Sequence, residues 1–205
     1  RNVRILRQIY VGETIHTVTR VDSMCDSAPR PDRQPRGKVL LGIVTTADGD
    51  PVLDYQRCPL IRLKDGHLPG YDDDLGENPQ LEIETYADPS LLEWDLEHLP
   101  PTPELETGVA INDPLRDIVS QASSLVRLTH NVAAVHRDVE ASPYPQRLVY
   151  GGHTVALAQA SLSRMIPSIA TIVGWHICDH LGPVFEGDLL SFQHKPVNEN
   201  IFGNG

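Results

Sequence analysis

The stretch that decides the fold is Gly151-Gly152-His153-Thr154-Val155-Ala156-Leu157-Ala158-Gln159-Ala160-Ser161-Leu162-Ser163-Arg164-Met165-Ile166, closed by Pro167. It is apolar or small nearly all round. Its one charge, Arg164, lies at the C-terminal end, where a cation suits the helix dipole. The spacing predicts one helix over residues 151–166. A helix without a polar face is usually buried inside a domain rather than laid on its surface. The apolar run Ile169 to Ile177 behind it is expected to form a central strand.

Working outward, the N-terminal part reads as strands. Tyr10 to Val21 is rich in β-branched residues, Val39 to Thr46 is an apolar run, and Val52 to Ile61 follows a turn at Asp48-Gly49-Asp50. The last two are a hairpin loop apart and are expected to pair antiparallel. A weak repeat links the two ends. Ile9-Tyr10-Val11-Gly12-Glu13-Thr14-Ile15 and Val184-Phe185-Glu186-Gly187-Asp188-Leu189-Leu190 share the pattern apolar, aromatic, any, Gly, acid, any, apolar. Strands follow the first copy, whereas the helix and the apolar run precede the second. If both copies are one fold, the chain holds the back half of one and the front half of the next. The N-terminus, without Met or a signal-peptide shape, also reads as the interior of a longer sequence.

Between the halves, residues 65–114 carry 14 acidic residues and no Lys or Arg, half of the acids in the chain. With five prolines from Pro79 to Pro103, this reads as a linker with a short helix near Ser90 to Glu97. The expected organisation is a first domain over residues 1–64, an acidic linker over 65–112 and a second domain over 113–205. The formal charge of −11 argues against general nucleic-acid binding, which needs a basic face. No run of about 18 apolar residues exists, so no membrane span is expected. Cys25, Cys58 and Cys178 lie far apart without CxxC spacing, so a reducing cytoplasm is the default. His176 and His180 have HxxxH spacing, but no Glu follows the first and Gly182-Pro183 shortens any helix, so no metal is expected.

Arg147-Leu148-Val149-Tyr150-Gly151-Gly152-His153, Gly182-Pro183-Val184-Phe185-Glu186-Gly187-Asp188 and Tyr10-Val11-Gly12-Glu13-Thr14 together resemble the MaoC-like branch of the hotdog fold. The resemblance implies an α+β architecture: an antiparallel sheet wrapped round a central helix, present twice, with both domains incomplete in this chain. It implies a homodimer or a pseudo-dimer of two hotdog domains. It also implies a hydro-lyase that reversibly hydrates 2-enoyl-CoA thioesters without a cofactor. The Tyr-Gly-Gly-His entry resembles the sub-branch acting on branched or dicarboxylyl thioesters. That family places a catalytic Asp and His five residues apart, commonly with Asn-Pro between them. Here His136 falls on the His, Asn131 stands at the Asp position, and Ala133-Ala134 replaces Asn-Pro.

The chemistry asks for a water at the β-carbon, a proton at the α-carbon and stabilisation of the enolate-like thioester oxygen. A helix N-terminus offers free N–H groups and a positive dipole end, and Gly151 and Gly152 permit close approach. Tyr150 and His153 flank that entry as candidate substrate contacts, and His153 has the alternative role of capping the segment. His136 can activate the water; Asn131 cannot take a proton and can only orient. Arg30, Arg33, Arg36 and Lys38, in the most basic segment, are expected to hold CoA phosphates, Arg33 and Arg36 foremost. His130, His176 and His180 read as structural. Two further readings remain open: a non-catalytic acyl-CoA-binding protein, favoured by Asn131, and a thioesterase, disfavoured by it.

Overall fold

The computed structural model describes residues 1–28, 31, 35–63, 66–78, 82 and 88–197. Two compact units emerge: residues 1–94 with 171–179, and residues 95–170 with 180–205.

The first unit is a six-stranded antiparallel sheet. Its strands are β1 (Val3–Ile5), β2 (Ile15–Asp26), β3 (Arg36–Ala47), β4 (Asp50–Arg57), β5 (Leu60–Arg62) and β7 (Gly174–Trp175), ordered β2-β3-β4-β1-β7 with β5 also on β3. Ala47 pairs with Asp50, so Asp48-Gly49 is a two-residue hairpin loop. Both residues have positive φ, 50° and 98°, the twist-matched turn that Asp-Gly favours. By alternation Ile43, Thr45 and Ala47 are buried on one face of β3; Leu40 is buried with the opposite parity, and Val52 of β4 adds to the core. Residues 70–73, read as linker, dock on the end of β2. Asp26 N–H donates to Tyr71 O (2.8 Å) and Asp73 N–H to Met24 O (3.0 Å).

The second unit builds on β6 (Ile111–Ile118) and β8 (Leu189–His194), which pair antiparallel. The helices α1 (Ala122–Leu128) and α2 (Gly151–Met165) complete it. The expected helix is thus present, and it contacts β6 and β8. Two expectations need correction. Only Ser161 of α2 is fully buried, because two strands cover one side of it and leave Ala156, Ala160 and Ser163 exposed. The run Ile169 to Ile177 is not a central strand; only Gly174–Trp175 pairs, at the end of the first unit's sheet beside the short β1.

The repeat is also a repeat of conformation. In the first copy Glu13 N–H donates to Tyr10 O (3.2 Å), and Tyr10 N–H donates to the Glu13 carboxylate (2.5 Å). In the second, Asp188 N–H donates to Phe185 O (3.1 Å), and Phe185 N–H donates to the Asp188 carboxylate (2.8 Å). Gly12 and Gly187 take φ of 107° and 93° at the third turn position, where a type II turn needs φ > 0. Each turn leads into a strand, β2 or β8.

One polar cluster pins α2 to both strands beneath it. Ser161 Oγ donates to Asp113 Oδ2 on β6 (2.6 Å) and lies 2.8 Å from His194 Nε2 on β8. The single Ser161 proton is spent on the carboxylate, so His194 Nε2 is the donor in the second bond. Arg164 adds bonds to Asp113 Oδ2 (3.1 and 2.5 Å) and to Asp117 (3.0 Å). Ser, His and Asp meet here without forming a nucleophile: the carboxylate holds the serine rather than the histidine, and Ser161 is 0% exposed. This is a clamp. The Ser161 and Arg164 bonds hold the Asp113 carboxyl down at about 2. Its contribution is therefore complete above the ordinary value of 3.8 and is lost as pH falls through about 2. Ser161→Ala is expected to cost about 1–3 kcal/mol by leaving buried partners unsatisfied. Melting curves of wild type and Asp113→Asn should converge as pH approaches 2, and a gap that persists there would contradict the clamp.

Candidate active site

The candidate catalytic and substrate-contacting residues lie on two arms of the second unit, the loop 129–138 and the chain 145–153 that enters α2. Leu148 joins the arms. Its N–H donates to Val135 O (3.1 Å), and its carbonyl lies 2.7 Å from His136 Nδ1. A carbonyl only accepts, so Nδ1 carries the proton in the neutral ring and Nε2 keeps its lone pair. That is the tautomer a general base needs. His136 closes a 3-10 turn (Ala134–His136) and is half-buried, with its ring edge-on to Tyr150 at 5.9 Å.

Tyr150 is the N-cap residue of α2, and no side chain caps the helix. The glycines there are needed for space rather than for backbone twist. A Cβ on Gly151 would lie 2.5 Å from His180 Nε2, and one on Gly152 2.5 Å from the Tyr150 ring. The two rings thus rest directly against the first helical turn. His180, read from sequence as structural, is exposed and stands over Gly151. His153, in the same turn, has a buried Nδ1 with no hydrogen-bond partner among the described residues.

The entry chain is held from its other side by the second repeat turn. Val149 N–H donates to Val184 O (2.9 Å), and Glu186 accepts from Ala122 N–H (2.9 Å), capping α1. A cavity of about 250 Å³ opens between these segments, with His136, Arg147, Leu148, Val149 and Glu186 among its walls. Asn131 does not line it. Its Oδ1 accepts from Ala133 N–H (3.0 Å), so its oxygen closes its own loop and only its amide N–H groups are left to donate. The residues brought together are therefore His136 with Tyr150, and Tyr150, Gly152, Gly151 and His180 along the helix entry. Of the basic loop, Arg30 and Arg33 lie outside the described residues, whereas Arg36 begins β3 in the first unit.

This architecture is a double hotdog fold. No family model matches the chain. Over 64 residues it is 36% identical to mesaconyl-CoA hydratase of Cereibacter sphaeroides, a match covering 31% of this chain and 19% of that protein. A conserved hypothetical protein of Mycobacterium tuberculosis with a double hotdog fold is 37% identical, with a TM-score of 0.77 over 92% of this chain and 59% of that one. A MaoC-like dehydratase from Phytophthora capsici shares the fold at 17% identity and a TM-score of 0.54, covering 93% of this chain and 58% of that one. The chain spans less than two thirds of the length of each of these relatives.

Proposed function

We propose that the protein hydrates 2-enoyl-CoA thioesters, with His136 as the base. The observation that carries this reading is the Leu148 carbonyl on His136 Nδ1, which leaves Nε2 as the acceptor on a ring packed edge-on against Tyr150, the N-cap residue of α2. In the forward step Nε2 takes a proton from water as the oxygen bonds to the β-carbon. The π electrons move to the α-carbon and thioester oxygen, where the N–H groups at the start of α2 meet the developing charge. The imidazolium then returns its proton to the α-carbon. One base completes the cycle, and Asn131 contributes an orienting N–H at most. Partial identity to mesaconyl-CoA hydratase supports a branched or dicarboxylyl acyl group. The free cysteines and acidic surface suit a cytoplasmic protein. Among the described residues, no helix is long and apolar enough to cross a membrane. The absence of an Asp at 131 favours a second reading, an acyl-CoA binder without catalysis.

Loss of enoyl-thioester absorbance across linear, branched and carboxylated acyl groups tests the proposal. Turnover of at least one is expected. Asn131→Asp supplies a second proton-transfer group, worth about 10²-fold or more where it is well placed, so the rate on simple enoyl thioesters should rise. Binding of CoA esters with no turnover of any would select the binder.

A further inference from the structure

A second cavity, of about 140 Å³, adjoins the one at His136 and shares Ser123, Val126, His136 and Arg147 with it. Its walls add Arg127, from the last turn of α1, and Arg137, from the loop after His136. Three arginines thus line the space beside His136. Elsewhere in the second unit Arg164 is consumed by Asp113 and Asp117, whereas Arg116 and Lys195 have no ion-pair partner among the described residues. Among the described residues, the side chains of Arg127, Arg137 and Arg147 have neither ion-pair nor hydrogen-bond partners. The one carboxylate on these walls, Glu186, is engaged by the N–H of Ala122.

Three like charges on neighbouring walls repel one another unless an anion lies between them. In a chain of net charge −11, intramolecular carboxylates are plentiful, yet Glu186 alone is placed on these walls. Guanidinium forks match carboxylate and phosphate oxygens two at a time. We infer that Arg127, Arg137 and Arg147 form an anion subsite beside His136 that takes an anionic group of the ligand. This rests on the thioester reading above and deepens it, because a 2-enoyl-CoA has anionic oxygens in two places. One source is a phosphate of the CoA; the other is a carboxylate on the acyl group. The subsite differs from the Arg30 to Lys38 segment, which belongs to the first unit.

Saturated ligands separate this inference from the catalytic proposal, since they bind without reacting. Calorimetric affinities of butyryl-CoA, succinyl-CoA and butyryl-pantetheine would be measured for wild type and for Arg127→Gln, Arg137→Gln, Arg147→Gln and Arg127→Gln/Arg147→Gln. All three arginines are exposed, so the fold should tolerate each change. The double variant is expected to lose about tenfold or more in affinity for an anionic ligand, and its binding should depend less on salt. Weaker butyryl-CoA with unchanged butyryl-pantetheine assigns the subsite to phosphate. A loss larger for succinyl-CoA than for butyryl-CoA assigns it to the acyl carboxylate. Equal affinities for all three ligands in wild type and double variant, or no binding of any by wild type, would overturn the inference.

Discussion

His136→Ala is expected to lower the hydration rate by about 10²–10⁴-fold while thioester affinity stays within a few-fold. The loss falls on kcat because the imidazole meets the substrate water only as the C–O bond forms. His136 also ties its loop to Leu148, so Ala removes an anchor as well as a base. His136→Asn separates the two roles. Its amide nitrogen can donate to the Leu148 carbonyl in place of Nδ1, yet it has no basic atom. Both variants should be inactive, with Asn retaining the wild-type melting temperature more closely. A kcat that survives either change would remove His136 from the chemistry.

The second large effect is expected at Gly152. An Ala there favours the helix by up to about 1 kcal/mol, because glycine is a poor helix former. Its Cβ, however, would lie 2.5 to 2.7 Å from the Tyr150 ring and hydroxyl, which must move. Tyr150 packs edge-on against His136, so the displacement reaches the base. Misplacing catalytic geometry by about 1 Å can cost about 10²-fold. Gly152→Ala should therefore keep its stability and lose about that much in kcat/KM. Gly151→Ala should be milder, since its Cβ meets only the exposed His180 ring. Equal activity for the two variants would show that the Tyr150 to His136 contact does not matter.

What could be read from the sequence was local chemistry. Asp48-Gly49 announces its hairpin because the turn needs positive φ at both positions, and the aromatic-x-Gly-acid pattern encodes one turn twice. The helix from Gly151 is visible for the same reason. Other features depend on partners remote in sequence. Seven-residue α1 takes its N-terminal cap from Glu186, 64 positions away, and has no local signal strong enough to predict it. The exposure of α2 follows from how few strands cover it, which helix composition cannot reveal. Asp113, Ser161 and His194 look like ordinary surface residues until β6 and β8 pair beneath the helix. Arg127, Arg137 and Arg147 read as scattered surface cations; only the fold of the loop beside α1 puts them on adjoining walls. Within the proposed site, the place of His136 five residues after Asn131 was legible through the family resemblance. The inward closure of Asn131 on Ala133 was not, since an Asx turn competes with any other use of that side chain.

In the proposed reaction water adds to the β-carbon and the thioester survives. Turnover of a 2-enoyl-CoA in heavy-oxygen water, followed by mass spectrometry of the products, tests it most directly. Hydration should leave one heavy oxygen on carbon 3 of an intact 3-hydroxyacyl-CoA, with no free CoA thiol released. Label in a free carboxylic acid alongside released CoA would mean thioester hydrolysis instead, and unlabelled substrate recovered from a protein that binds it would mean no catalysis at all.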